Sequence, residues 1–207
     1  MSHTPGVRQV QKQQSRRALL DAALGLLEHQ NLSGLGVREV TRAAGLSPAG
    51  FYRHFPDLSE LAVVLVEESL ASVHAMIRSV LAEQGDDSDR LIDRTVELIA
   101  DHVRENPAHM RFLVRERHGG VRAVREAIAG ELRGFTDEVA AGLGAQSVSA
   151  GWSAGDLRML ARLYVEHMVA TAAELLEAGP GGERRIAETA RTQLRLIGVG
   201  RRHWPEG

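Results

Sequence analysis

The stretch VREVTRAAGLSPAGFYRHF, residues 37–55, decides how this chain is read. Val37, Val40 and Ala44 fall at i, i+3 and i+7, which predicts a short helix over 37–44 with one apolar face. Gly45-Leu46-Ser47 is a tight turn. Ser47 is a good N-cap, and Pro48 stands at the first helical position, where a missing N–H costs nothing. A second short helix, 48–54, stops at Phe55-Pro56 because the residue before a proline avoids the helical region. Two short helices joined by a three-residue turn containing glycine have the spacing of a helix-turn-helix. In that motif the second helix enters the major groove with its N-terminal residues toward base edges. Its free N–H groups also suit phosphate. The candidate DNA contacts are therefore Ser47, Tyr52, Arg53 and His54, with Arg38 and Arg42 on the preceding helix and Arg16 and Arg17 on an earlier one. Pro48, Ala49 and Gly50 bring no side-chain donor, so readout there is apolar or by close backbone approach.

Helical periodicity continues on both sides. Leu19, Ala22/Ala23 and Leu26/Leu27 mark a first helix over 15–29, preceded by a polar arm with Arg8 and Lys12 that is expected to be disordered. Asp57, with Glu60 three residues on, caps a long helix that stops near Gly85. Further apolar stripes predict helices over 91–103, 107–117, 121–143, 153–176 and 183–198, separated by Asn106-Pro107, Gly119-Gly120, a Gly/Ser/Ala-rich loop at 144–152, and Gly179-Pro180-Gly181-Gly182. The fold class expected is all-α, about nine helices and no strand: a three-helix head ahead of a larger helical domain. The division is placed where composition turns from basic to acidic, giving residues 1–56 for DNA binding and 57–207 for effector binding and dimerisation.

Composition narrows the function. The 207 residues include no cysteine, so disulfides, thiol catalysis and Cys-based metal sites are out. Net charge is −2, but residues 1–55 hold seven of the 25 basic residues and three of the 27 acidic ones. A basic head on an acidic body hints at nucleic-acid contact at one end. No apolar run suits a signal peptide or a membrane span, and a cytoplasmic protein is expected. His102, His109 and His118 form no HxxxH or HExxH pair, and neither a nucleophile elbow nor a phosphate loop is present. No metal, cofactor or enzymatic activity is expected.

RRALLDAALGLL, VREVTRAAGLSPAGFYRHF and the following D-L-S-E-L, from Arg16 to Leu61, resemble the DNA-binding domain of the TetR family of bacterial one-component repressors. The resemblance implies that Tyr52 donates to a phosphate while Phe51 and Phe55 pack the small domain. Two features depart from that pattern. Gly36 stands where the family caps the second helix with Ser or Thr, and Asp57-Leu58-Ser59 lacks the phosphate-touching lysine many members carry. A finer likeness covers NPAHMRFLVRERHGGVRAVREAIAGELRGF, residues 106–135, which is similar to fatty-acid-biosynthesis repressors of the FabR/DesT type. It implies a sensor of long-chain acyl-coenzyme A that represses lipid-metabolism genes.

The residues themselves offer a matching but separate argument. Arg111, Arg115, Arg117, Arg122 and Arg125 concentrate positive charge in an acidic domain, and guanidinium forks suit phosphates. Met110, Phe112, Leu113, Val114, Phe135, Met159, Tyr164 and Met168 could line an apolar tunnel, in which methionine adapts to a flexible chain. The same positions could equally be ion-paired arginines and plain core. A palindromic operator needs two recognition helices about 34 Å apart, hence a two-fold homodimer. The resemblance places its interface on the last two helices, with Leu157, Leu160, Val165, Val169, Ala172, Leu176, Ile186, Leu194 and Ile197 as candidates, although these too could be buried within one subunit. Effector binding is then expected to change the angle of the fourth helix and so the spacing of the heads. A regulator of another ligand, such as a drug or an aromatic acid, remains open. So does an all-α interaction or lipid-carrier protein that does not bind DNA.

Overall fold

The computed structural model describes residues 6–82 and 88–204. Among them are nine α-helices and no strand: α1 (Val7–Leu27), α2 (Val37–Ala43), α3 (Pro48–Phe51), α4 (Leu58–Ala82), α5 (Ser88–Glu105), α6 (Pro107–Glu116), α7 (Arg122–Gly144), α8 (Ala154–Leu176) and α9 (Gly182–His203). Single 3-10 turns stand at Leu32–Gly34 and Ser147–Ser149. The expected end of α4 near Gly85 lies outside the described residues.

Three local expectations change. α1 begins at Val7, so Arg8 and Lys12 are helical rather than part of a disordered arm. Gly6 stays extended and its carbonyl accepts the N–H of Gln9 at 2.8 Å. The Gln, Arg and Lys of this segment are good helix formers, and adding turns to an already nucleated helix needs no apolar partner. The recognition helix is one turn, Pro48–Phe51, and residues 52–54 continue as turns. α9 runs past Gly198 and Gly200 to His203. Two interior glycines each cost about 1 kcal/mol, but Arg201 holds the end. Only 8% exposed, it donates to the Leu143 carbonyl at 3.1 Å, to Gln146 Oε1 at 2.8 Å and to Ser149 Oγ.

The chain packs as two compact units. One runs through Ser69 and takes in Arg111–Ile128; the other consists of Leu70–Met110 and the chain from Ala129 onward. Packing therefore does not divide at 56/57. α4, α6 and α7 each supply residues to both units, because a continuous helix is not interrupted where charge composition changes. In the first unit Leu19, Leu20, Phe51, Leu61, Leu65 and Phe112 are buried almost completely. In the second, three small apolar clusters are built from α5, α7, α8 and α9. Val96, Ala190 and Leu194 form one, Val103, Ala172 and Leu175 another, and Leu143, Leu160 and Ala161 the third. Outside these, an ion-pair ladder joins α9 to α5, with Arg195 on Asp89 and Asp93 at 3.1 Å each and Arg191 on Asp93 at 3.2 Å.

Candidate nucleic-acid interface

The corner between α2 and α3 is built by backbone chemistry. Gly45 takes φ +67°, a left-handed conformation in which a Cβ is disfavoured, while open space surrounds it. The turn closes with the Leu46 N–H donating to the Thr41 carbonyl at 2.8 Å. Ser47 Oγ accepts the Gly50 N–H at 3.2 Å and caps α3, with Pro48 in its first turn. Gly36 precedes α2 and gives it no side-chain cap, as its composition dictates.

Beyond the corner the aromatic residues part company. Phe51 and Phe55 are buried, whereas Tyr52 is 60% exposed, its ring edge-on to Phe51 at 5.4 Å. A large side chain kept this wet on a rigid turn is available to a ligand. Pro48, Ala49, Arg53, Arg38 and Arg42 are exposed too, and Gly50 is half-buried. Neither Arg38, Arg42 nor Arg53 has an ion-pair partner among the described residues. His54 is half-buried. Its pKa is lowered first by that burial and then by the charges of Lys12, Arg16 and Arg53. Lys12 therefore belongs to the field around the recognition segment, a contribution visible only once α1 extends back to Val7.

Arg16 and Arg17 are placed differently. Arg17 pairs with Asp21 at 2.8 Å and Glu68 at 3.0 Å. Arg16 lies over the Phe55 ring, 5.2 Å from its centroid, with Glu68 at 4.0 Å. Both guanidiniums work inside the protein, and phosphate would have to compete with those carboxylates.

The residues expected to hold an effector divide between the units. In the second, Met110 packs on the Val103 cluster, Met168 on the Val96 cluster, and Tyr164 on two of the three. Burial pushes the Tyr164 phenol upward, against the opposing charges of Arg201 and Arg202. Phe135 is buried with the His74 ring 4.2 Å away, and Met159 is exposed. His74 itself sits between two carboxylates, Nε2 2.9 Å from Glu131 and Nδ1 2.9 Å from Glu138.

In the first unit Leu113 is buried and Val114 half-buried. The arginines there are committed to protein groups: Arg111 to Glu28 at 3.7 Å, Arg122 to Glu126 at 2.7 Å, Arg125 to the Gly119 carbonyl at 2.6 Å, and Arg115 to three backbone carbonyls. Arg117 is half-buried. An unsatisfied cationic cluster does not exist at these positions, because local carboxylates and helix-end carbonyls take the guanidiniums up. Glu116, which was not among the expected site residues, is 1% exposed. Its signal was positional, since it shares a helical face with Phe112 and Leu113.

Of the candidates for a dimer interface, Leu160, Ala172 and Leu194 are buried in the protomer's own clusters, and Val165 is buried as well. Leu157, Val169, Leu176, Ile186 and Ile197 are half-buried. The exposed large apolar residues on α8 and α9 are instead Met159, Leu163, Leu196 and Val199.

A one-turn helix presented by a glycine corner, with an exposed tyrosine and unpaired arginines around it, defines a helix-turn-helix DNA-binding protein. Residues 19–64 match the model of "Bacterial regulatory proteins, tetR family". That segment is thus a TetR-type DNA-binding domain. Solved structures establish the fold over nearly the whole chain. It is similar to a putative TetR-family transcriptional regulator from Syntrophomonas wolfei, with a TM-score of 0.74, 13% identity, and 91% of this chain and 96% of that one covered. It is also similar to the fatty acid degradation regulator FadR from Bacillus halodurans, with a TM-score of 0.71, 14% identity, and 95% and 97% covered. A third similar structure, SmeT in complex with triclosan, has a TM-score of 0.68, 18% identity, and 88% and 90% covered. No described helix is long and apolar enough to cross a membrane.

Proposed function

We propose that this regulator is a homodimeric repressor of lipid-metabolism genes, released from or fixed to a pseudo-palindromic operator by long-chain acyl-coenzyme A. The DNA half of this reading is carried by Tyr52, exposed between two buried phenylalanines, with Arg38, Arg42 and Arg53 around it. Tyr52 and the arginines hold phosphates and set the register. Pro48, Ala49 and Gly50 allow close approach to base edges.

The lipid half rests on the likeness of residues 106–135 to FabR/DesT-type repressors and on a fold shared with a fatty acid degradation regulator. The half-buried Met110, Tyr164 and Met168, each packed on a small apolar cluster, are the residues assigned to the acyl chain. With the expected arginines engaged in protein contacts, the coenzyme A phosphates are assigned no residue. Effector and operator are coupled by about 1–3 kcal/mol, or roughly 5–150-fold in operator affinity. The fold shared with a triclosan-bound protein supports a second reading, in which the same apolar clusters receive a drug-like effector.

The test is fluorescence anisotropy with duplexes tiled across the DNA flanking the gene, at two salt concentrations, with and without oleoyl-coenzyme A. Selective, salt-dependent binding that shifts with the thioester supports both halves. Selective binding without a shift retains the regulator and removes the lipid. Weak binding to every duplex, persisting in a genome-wide selection, removes the DNA half.

A further inference from the structure

The last turn of α6 carries two adjacent side chains that serve the same segment from opposite poles, all within the first unit. Arg115 Nη1 donates to the carbonyls of Leu27 at 2.8 Å and Gln30 at 2.9 Å, and Nη2 donates to that of Glu28 at 3.4 Å. These carbonyls belong to the C-terminal end of α1 and the chain leaving it, where a helix leaves acceptors without intrahelical donors. Glu116 Oε1 accepts the N–H of Leu32, which opens the 3-10 turn, at 2.9 Å. One turn earlier Arg111 pairs with Glu28 at 3.7 Å.

The pocket around Glu116 has room for it, with Oε1 bonded to Leu32 and Oε2 buried without a hydrogen-bond partner among the described residues. The residue is 1% exposed, and a Cβ at Gly119 would lie 2.1 Å from Oε2, so the glycine makes the room. From the gripped segment the contact continues into the motif: Gln30 Nε2 donates to Glu39 Oε1 at 3.0 Å, and Glu39 is in the first turn of α2.

We propose that Arg115 and Glu116 are positioning residues for operator recognition. By fixing the backbone between Glu28 and Leu35 they set where α2 and α3 stand against DNA. The physical reason is the cost of the alternatives. Rearranging the connector strands a buried carboxylate and three carbonyls, and a buried polar group left without its partner is expensive. The connector thus has one favoured shape, and the register of the recognition turn inherits it. This inference rests on the DNA-binding reading, not on the identity of the effector.

The experiment uses the full-length protein and the duplex it selects from a random library. Glu116→Met keeps the size of the side chain and removes the acceptor; Glu116→Gln restores an acceptor without the charge. Arg115→Lys keeps a cation that cannot span three carbonyls. Affinity for the selected duplex and for an unrelated duplex of equal length is measured where circular dichroism shows every variant folded. Ser153→Ala, a cap variant in the second unit, is the control for lost stability. The expected result is at least about a tenfold fall in the specific-to-nonspecific ratio for Glu116→Met and Arg115→Lys, from weaker specific binding alone, since phosphate contacts alone carry nonspecific affinity. Glu116→Gln recovers most of the ratio and Ser153→Ala leaves it unchanged. Faster amide exchange at Leu32 and through α2 accompanies the loss. A ratio kept within about twofold in folded Glu116→Met and Arg115→Lys overturns the proposal while the DNA-binding reading stands. Should Glu116→Met fail to fold, Arg115→Lys and Glu116→Gln decide it: a collapsed ratio in the first and a kept ratio in the second support it, any other pairing overturns it. A wild-type protein that selects no duplex overturns both.

Discussion

Tyr52 and Phe51 are neighbours with opposite fates, and the difference is functional. Phe51 is completely buried, so Phe51→Ala is expected to cost about 3–5 kcal/mol of stability. Tyr52→Phe touches only an exposed hydroxyl. It should leave the melting temperature unchanged and weaken operator binding about two- to tenfold, the worth of one hydrogen bond. Equal operator affinity in titrations of the two proteins would take Tyr52 out of the interface. Gly45→Ala tests the turn. With nothing within 4 Å of the added methyl, the cost is conformational and should be about 1 kcal/mol by chemical denaturation.

Among the elements, the corner between α5 and α6 holds His102, whose pKa is lowered mainly by burial, with Glu105 opposing and His109 adding to the shift. The sign follows from linkage. As pH falls through 6.5, the ordinary value, the unfolded chain takes up a proton before the folded one does, so this residue makes stability fall. Its full contribution is present above 6.5. Denaturation at pH 7.5 and 5.5 should show a larger drop for the wild-type protein than for His102→Gln; equal drops would mean that the burial is not felt. The elements were also where periodicity read best. The long amphipathic helices appear within a few residues of expectation because core contact imposes the 3.6-residue stripe. Their ends shifted where no stripe exists, at the polar start of α1 and the glycine-interrupted end of α9. There propensity and the anchoring of Arg201 decided.

On the scale of the whole molecule, dimerisation should run through Met159, Leu163, Leu196 and Val199, the exposed apolar residues of α8 and α9. Leu163→Glu is expected to yield a folded monomer in sedimentation velocity and to lose operator affinity. An unchanged dimer would move the interface elsewhere. Leu160→Glu should instead unfold the second unit, since Leu160 is core.

What the sequence determined by itself was the helical class and the DNA-reading corner. Both are written locally, in periodicity, a glycine at a turn, a serine cap and a proline one position later. The assignment of charges was not. Arg111 and Arg115 looked like part of a cationic patch because i±4 neighbours are all a helix reveals of its partners. Only the tertiary structure brings Leu27, Glu28 and Gln30 to them, and Leu32 to Glu116. Likewise Leu160 and Leu163 are both apolar on α8, and only packing decides that one is core and the other surface. Spacing along a helix defines faces; which face is buried depends on what the rest of the chain brings against it.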